Sequence, residues 1–179
     1  MSIIYPKTTT FTHIKIIKMK LGIIIICYNN ENDIDIGHCV KYLNRLKDLQ
    51  ICLVNNNSKD NTFSVLKEIK EYCGHVSIVD IKKFKSDNAA VKAGARFMSS
   101  QFNLKHLGFI NTNVIREYEN LCLLIKAIGD NQVDISKYNQ SYLNKKGIKL
   151  TMFQSLFPVM EYLAKVNVEN RYNDLDYQG

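Results

Sequence analysis

Four short apolar runs, rich in β-branched residues, recur along the first 110 positions of the chain. They lie at 21–27, 51–54, 76–81 and 107–110, and each is followed by polar residues. Apolar runs of this length, bounded by turn-forming residues, are typical of strands that are buried on both faces of a parallel sheet. The pattern therefore predicts four parallel strands.

Segments with helical spacing separate these runs. Apolar side chains recur every three or four residues within 33–46, 61–72 and 87–102, and a further helix is predicted over 117–128. Strand and helix alternate every ~25 to 30 residues, which indicates βαβ units with right-handed crossovers. The predicted fold class is α/β, with a mostly parallel central sheet between layers of helices.

The pattern is less regular beyond residue 130. Residues 132–136 are predicted to form another strand. Residues 150–166 are predicted to form a helix that is interrupted near Pro158, because proline lacks the amide hydrogen that a helix interior requires.

Length and composition agree with one folded domain. Of the 179 residues, 46% are hydrophobic and 23% are charged, which is ordinary for a globular protein. The five cysteines are odd in number and include no Cys-x-x-Cys pair, so we expect reduced core thiols instead of disulfides or a zinc site. Reduced thiols favour a cytoplasmic location.

The net charge of +7 favours polyanionic partners only weakly. Lysines are spread along the chain and no arginine-rich tract is interleaved with aromatics, so a specific nucleic-acid interface is not expected. The most apolar run, at 21–27, is far shorter than the roughly 20 residues of a transmembrane helix. We expect no membrane span, and peripheral contact with the inner face of the membrane stays open.

Asparagines are concentrated in the loops that follow the predicted strands. In a parallel sheet these loops meet at one edge, where open α/β folds bind their ligands. Amide side chains both donate and accept hydrogen bonds, which suits a nucleobase or a ribose, although asparagine is also a common turn residue. The eight asparagines are Asn29, Asn30, Asn55, Asn56, Asn57, Asn88, Asn111 and Asn113.

The same four strand-and-loop segments resemble the motifs of the family 2 glycosyltransferases. Residues 22–33 (GIIIICYNNEND) are similar to the family's first strand and loop, and 51–62 (ICLVNNNSKDNT) to its V-D-D-G-S-x-D-x-T signature. Residues 85–98 (KSDNAAVKAGARFM) are similar to the start of its third helix. Residues 107–121 (LGFINTNVIREYENL) lie where its D-x-D motif follows a strand.

The resemblance implies a three-layer, Rossmann-like GT-A fold that binds a UDP- or GDP-linked sugar and transfers the sugar with inversion to an acceptor. A weaker similarity at 134–138 and 173–179 is to dolichyl-phosphate mannosyltransferase-like members. The implied organisation is an N-terminal extension at 1–18, a nucleotide-sugar-binding half at 19–130, and a short, apparently truncated acceptor-side segment of the same domain at 131–179.

Carried over position by position, the resemblance places the nucleotide at the carboxyl ends of the strands. Tyr28 and Asn30 are expected to face it, Asn55 takes the place of a base-reading carboxylate, and Lys137 is expected near the diphosphate. The predicted nucleotide-binding residues are Cys27, Tyr28, Asn30, Val54, Asn55, Asn57, Asn88, Lys92, Asn111, Thr112 and Lys137.

Departures from the family pattern bear on catalysis. Asn111 and Asn113 stand where the resemblance implies the two metal-binding carboxylates, and neutral amides are poor ligands for Mg²⁺ or Mn²⁺. We therefore expect no certain cofactor. Inverting transfer also needs a general base, for which Asp174 and Asp176 are the candidates.

Three functions stay open at this point. The first is a glycosyltransferase in which lysines such as Lys92 or Lys137 offset the diphosphate charge in place of a metal. The second is a catalytically inactive relative that binds a nucleotide or a protein, including a partner subunit or a second copy of itself. The third is a Rossmann-like domain without sugar chemistry, which the absence of a G-x-G-x-x-G or P-loop motif disfavours.

Overall fold

The structure is a computed structural model, and it describes residues 21–46, 48–111, 113–146 and 150–165. Four features predicted from the sequence lie outside the described residues: the N-terminal extension at 1–18, Thr112, Asp174 and Asp176. Among the described residues, no helix combines the length and the apolar character that crossing a bilayer requires.

The fold is built on a five-stranded sheet in which all neighbouring strands are parallel. The strands are β1 (Leu21–Cys27), β2 (Leu49–Asn56), β3 (Val76–Ile81), β4 (His106–Ile110) and β5 (Phe157–Pro158). Their order across the sheet is β3-β2-β1-β4-β5, so the chain first extends to one side of β1 and then returns to the other side. In open α/β sheets, ligands bind beyond the carboxyl ends of the strands at such a reversal.

The central strand β1 explains why the apolar runs are continuous. All seven of its residues are buried. Ile23 and Ile25 pack into the core on one face of the sheet, while Ile24 and Ile26 pack into a second core on the other face. Because successive side chains of a strand point to opposite faces, a strand between two cores needs an apolar residue at every position.

Helices cover both faces of this sheet. Their bounds are 3-10 helix Glu31–Asp33, α1 (Ile36–Leu43), α2 (Thr62–Tyr72), α3 (Asp87–Gln101), α4 (Val114–Glu117), α5 (Leu121–Asp130), α6 (Gln132–Lys146) and α7, described over 159–165. The buried side of α3 packs against one face, and α1, α2 and α5 pack against the other. Gly94 permits the close approach of α3, because a Cβ there would lie 2.7 Å from Ile24 Cγ2. The predicted three-layer, Rossmann-like α/β architecture is confirmed.

Two predictions for the second half of the chain are wrong. Residues 132–136 are not a strand but the start of α6, whose buried residues Ile135, Ser136 and Asn139 follow helical spacing. Residues 150–166 do not begin as a helix: a turn is followed by β5, and α7 starts only after Pro158. Pro158 lies on an edge strand, where its missing amide hydrogen costs no essential ladder bond.

Two predicted helices differ from the observed ones at their starts. The first begins at Ile36 instead of 33, because Asp35 caps it by accepting a hydrogen bond from the His38 N–H. The helix predicted over 117–128 begins at Leu121 instead, where Asn120 caps it by accepting from the Leu123 N–H at 3.0 Å, and residue 117 is the last residue of the short helix α4. Capping side chains thus set both boundaries.

Candidate functional site

Three asparagines turn the chain shortly after three of the strands end. Asn29 follows β1, Asn57 follows β2 and Asn113 follows β4, with φ angles of 51°, 61° and 75°. Residues other than glycine rarely adopt positive φ, and asparagine tolerates it better than most. The three turns lie at the carboxyl ends of their strands. We call this end of the sheet the asparagine edge.

Asn30 is buried below the first of these turns, with 2% of its surface exposed. Its side-chain oxygen accepts from the Tyr28 N–H at 2.8 Å, and its amide nitrogen donates to Asp33 Oδ2 at 2.7 Å. Its backbone N–H donates to Thr62 Oγ1 at 2.7 Å. The side chain predicted to face a nucleotide therefore holds the loop in shape.

Asn56 has the same kind of role between β2 and the loop before α3. It is fully buried, its amide nitrogen donates to the Lys85 carbonyl at 2.8 Å, and its oxygen accepts from the Lys85 N–H at 3.0 Å. A buried amide is costly unless both its ends are hydrogen-bonded. This pair of bonds satisfies both ends and fixes the 82–86 loop against the sheet.

Asn55 contacts a carboxylate that the sequence analysis did not single out. Its amide nitrogen donates to Asp80 Oδ1 at 2.8 Å, and its oxygen accepts from the Ser58 N–H at 3.3 Å. Asn55 and Asp80 are register partners on β2 and β3, so their side chains lie on the same face. The signal in the sequence was a lone acid within the strand VSIVDI.

Hydrogen bonds join the loops after β1 and β2. The Asn29 N–H donates to Ser58 Oγ at 3.1 Å, and Asn29 Oδ1 accepts from the Lys59 N–H at 2.8 Å. The Glu31 N–H donates to Asp60 Oδ2 at 3.1 Å. The two loops therefore form one polar unit at the asparagine edge.

Asp60 stabilises the start of α2. Its Oδ1 accepts from the Thr62 N–H at 3.1 Å and from the Thr62 hydroxyl at 2.6 Å. Partial burial alone would raise the pKa of Asp60, but hydrogen bonds from Thr62 and from the Glu31 N–H outweigh burial and lower it. The carboxylate is therefore ionised at neutral pH.

Arg116 of α4 brings positive charge to the asparagine edge. Its Nη2 donates to the Asn29 carbonyl at 2.8 Å and its Nε to Asp33 Oδ2 at 3.2 Å. The side chain is 56% exposed, so part of the guanidinium is open to solvent. Sequence reasoning missed Arg116, because only the fold shows that α4 lies against the loop after β1.

The expected metal positions, Asn111 and Asn113, are both exposed. Two amides are not a donor set that a divalent cation prefers, since Mg²⁺ and Mn²⁺ are held largely by carboxylates. The described part of the chain contains no group of three or more His, Cys, Asp or Glu residues placed to hold a metal ion. These residues do not fit the divalent cation that the resemblance implies.

An aromatic pair stands beside the turns. The rings of Tyr28 and Phe84 pack edge to face with their centroids 5.0 Å apart, and Phe84 is 57% exposed. Phe84 lies in the loop that Asn56 holds in place. An exposed ring of this kind offers a face on which a planar ligand can stack.

Four other predicted residues differ in their exposure. Cys27 and Val54 are buried in the core, while Asn88 and Lys92 are exposed on α3. Burial raises the pKa of the Cys27 thiol, which makes it an unreactive core residue.

Lys137 is exposed on α6, where its ammonium group lies 3.3 Å from Asp134 Oδ1. Two residues further on, Asn139 bonds His106 at the amino end of β4. Lys137 is thus placed along a helix that passes the opposite end of β4 from the asparagine edge.

Three of the cavities in the described part of the chain have the volume of a small-molecule site. One of about 510 Å³ lies between the end of α3 and the start of β4, and one of about 360 Å³ lies between α6 and α7. The third, of about 400 Å³, lies at the outer edge of β3 and includes Asp80 in its wall. Of the three, this last cavity reaches the polar groups next to the asparagine edge.

Comparison with known proteins gives a match to a protein family. The sequence model of the family described as "Glycosyl transferase family 2" matches residues 22–167. No curated protein matches the chain. Among solved structures, the crystal structure of S. aureus TarS 1-349 is similar, with 14% identity and a TM-score of 0.41 over 64% of this chain. The match covers 33% of the TarS chain, so the present chain spans about a third of that structure.

Proposed function

The chain belongs to glycosyl transferase family 2, and we propose that it binds a nucleotide diphospho-sugar, UDP- or GDP-linked, at the asparagine edge. The family match confirms the resemblance seen in four motifs, while the narrower similarity to dolichyl-phosphate mannosyltransferase-like members stays a prediction. One observation carries the proposal. Asparagines with positive φ follow β1, β2 and β4, on both sides of the reversal in strand order.

The groups around these turns match the parts of such a ligand. The exposed ring of Phe84, supported by Tyr28, offers a stacking surface for a base. Arg116 brings positive charge to the turn at Asn29, and the Lys59 ammonium group donates to Asn57 Oδ1 at 3.2 Å; both charges favour a diphosphate. The buried amides below hold this surface in place, which lowers the entropic cost of binding.

We infer that binding does not require a divalent cation. Amides occupy the positions where the family resemblance implies metal-binding carboxylates, and the Arg116 guanidinium lies in the segment that follows them. A fixed cation of this kind stabilises a leaving diphosphate electrostatically, although less strongly than a bound metal ion.

The activity we propose is transfer of the sugar, with inversion, to an acceptor hydroxyl. Such a transfer needs a group that accepts the proton of the hydroxyl, and Asp174 and Asp176 keep that assignment as a prediction from the sequence. A second candidate function is nucleotide binding without turnover, by an inactive relative. The two amides at Asn111 and Asn113 favour this alternative, because they remove charge that the leaving diphosphate would need.

Calorimetric titration of the full chain with UDP and GDP, in buffers containing either Mn²⁺ or EDTA, tests the proposal. We expect saturable binding of at least one nucleotide with the same affinity in both buffers. Release of nucleoside diphosphate from UDP- and GDP-sugars, measured over a panel of acceptors, then separates a transferase from a binding module. If neither nucleotide binds in either buffer, both candidate functions are wrong.

A further inference from the structure

Asp80 is a carboxylate on β3, in the last row of paired residues that extends across β1, β2 and β3. Cys27, Asn55 and Asp80 are register partners across β1, β2 and β3, so their side chains share one face just below the asparagine edge. The Asp80 side chain is only 17% exposed. A partly buried acid next to a proposed ligand site needs a physical reason, because burial of an unpaired charge is costly.

Asn55 positions this carboxylate. The Asn55 amide nitrogen donates to Asp80 Oδ1 at 2.8 Å, while the Asn55 oxygen is occupied by the Ser58 N–H. The amide that stands in the place of a base-reading acid is therefore engaged at both ends with protein groups. In the row formed by Cys27, Asn55 and Asp80, the hydrogen-bond acceptor that stays open to a ligand is therefore the Asp80 carboxylate.

The remaining partner of Asp80 is easily displaced. Lys82 donates to Asp80 Oδ2, but the Lys82 side chain is 82% exposed. Exposed ion pairs contribute little free energy, about 0–1 kcal/mol. Burial alone would raise the pKa of Asp80, yet the hydrogen bonds from Lys82 and Asn55 lower it overall, so the group is ionised at neutral pH. A carboxylate offers about four acceptor positions, which leaves capacity for a ligand.

Asp80 opens into a space with apolar walls. The cavity of about 400 Å³ at the outer edge of β3 is lined by the apolar residues Phe63 and Ile78 and by the charged residues Lys67, Lys70, Glu71 and Asp80. Its volume is typical of a small-molecule site, and the hydrogen bond from Asn55 orients the Asp80 carboxylate in its wall.

We infer that Asp80 reads the base of the nucleotide, and that it selects bases with a ring N–H, uracil or guanine, over cytosine and adenine; this rests on the proposed function. An ionised carboxylate only accepts hydrogen bonds. Uracil offers its N3–H, and guanine offers N1–H together with its amino group. Cytosine and adenine carry a lone pair at the corresponding ring nitrogen, which a carboxylate repels, so they can donate to it only through the neighbouring exocyclic amino group. Base recognition in this chain thus falls to β3 instead of β2.

The test is calorimetric titration of the full chain with UDP, GDP, CDP and ADP. We expect UDP or GDP to bind at least about tenfold more tightly than CDP and ADP, which is the ordinary scale of one hydrogen bond to a charged group. Asp80→Asn should reduce this preference to about threefold or less, because an amide can also donate to the ring nitrogen of cytosine or adenine. If Asp80→Asn fails to fold, Asp80→Ser applies the same test.

Two variants serve as matched controls. Lys82→Met removes the ion pair but keeps the carboxylate, so it should retain the preference. Asp130→Asn removes an acid that pairs with Lys126 on α5, at 2.6 Å, and should leave the preference and the affinity unchanged.

The outcomes separate this inference from the proposed function. If the wild type binds all four diphosphates equally, or if Asp80→Asn keeps the wild-type preference, nucleotide binding stands and the role of Asp80 is refuted. If the wild type binds none of the four, the proposed function is refuted and the assignment of Asp80 is refuted with it.

Discussion

Replacement of Arg116 by glutamine tests whether this side chain holds the diphosphate. Its guanidinium donates to the Asn29 carbonyl and to Asp33 while more than half of the side chain stays exposed. Two unit charges 4 Å apart interact with about 1 kcal/mol in water and about 4 kcal/mol at the dielectric typical of protein surfaces. Because of the exposure, we expect a loss of about 1–2 kcal/mol in binding free energy, a five- to thirtyfold weaker Kd.

The assay compares charged and neutral ligands. Titration of Arg116→Gln with UDP and GDP should show the weaker Kd, whereas uridine and guanosine, which lack phosphates, should bind as they do to the wild type. The difference in Kd between Arg116→Gln and the wild type should become smaller as the salt concentration is raised from about 0.05 to 0.5 M, because added salt screens exposed charges. Arg116→Lys keeps the charge but loses the paired donors of the guanidinium, so its Kd for UDP and GDP should lie between those of the wild type and Arg116→Gln.

Arg96→Gln is the matched control. Arg96 is exposed on α3, where its guanidinium lies 5.4 Å from the centre of the Phe153 ring, and its loss should leave nucleotide binding unchanged. Equal weakening of nucleotides and nucleosides by Arg116→Gln would show that Arg116 only supports the loop after β1. Unchanged binding of UDP and GDP would refute its role altogether.

Three further predictions concern stability and the metal positions. Asn57→Ala should lower the free energy of unfolding by about 1–2 kcal/mol in urea titrations, because alanine is strained at a φ of 61°, whereas Asn57→Gly should be nearly neutral. Burial and then the charge of Lys105 lower the pKa of His106, so its contribution to stability should be full above pH 6.5 and be lost as the pH falls below 6.5; His106→Gln should remove that slope, and an unchanged slope would assign it to other groups. Asn111→Asp combined with Asn113→Asp should make nucleotide binding respond to Mn²⁺ in calorimetry, and no response would show that these positions do not face the diphosphate.

The sheet could be predicted from the sequence where strands were buried on both faces. The runs at β1 and at 51–54 of β2 are unmistakable because every side chain in them is buried and apolar. The two residues of β5 are too few to show a period, and the polar surface of α6 hides its short buried face, so both were misassigned. Local sequence patterns thus identify the strands that are buried in the core and miss elements that contact the core through only a few residues.

The candidate site was predicted to the level of its loops but not of its individual side chains. Strand ends identify the asparagine edge, since all parallel strands deliver their loops to the same side. The roles of Asn30 and Asn56 could not be predicted, because a buried amide and a ligand-facing amide look alike in sequence. Asp80 and Arg116 become visible only through the register of β2 with β3 and the position of α4.

Amides and acids have different roles in this edge, and the difference bears on what the domain can do. Asn30 and Asn56 each bond protein groups with both ends of the side chain, which a carboxylate could not do because it only accepts. These amides are therefore suited to hold neighbouring loops together without adding charge. Asp80 keeps a negative charge within the last row of the sheet, and Arg116 keeps a positive one above it. If the edge binds a nucleotide as we propose, it does so through fixed protein charges, and its capacity for turnover depends on whether those charges stabilise the leaving diphosphate as a metal ion would.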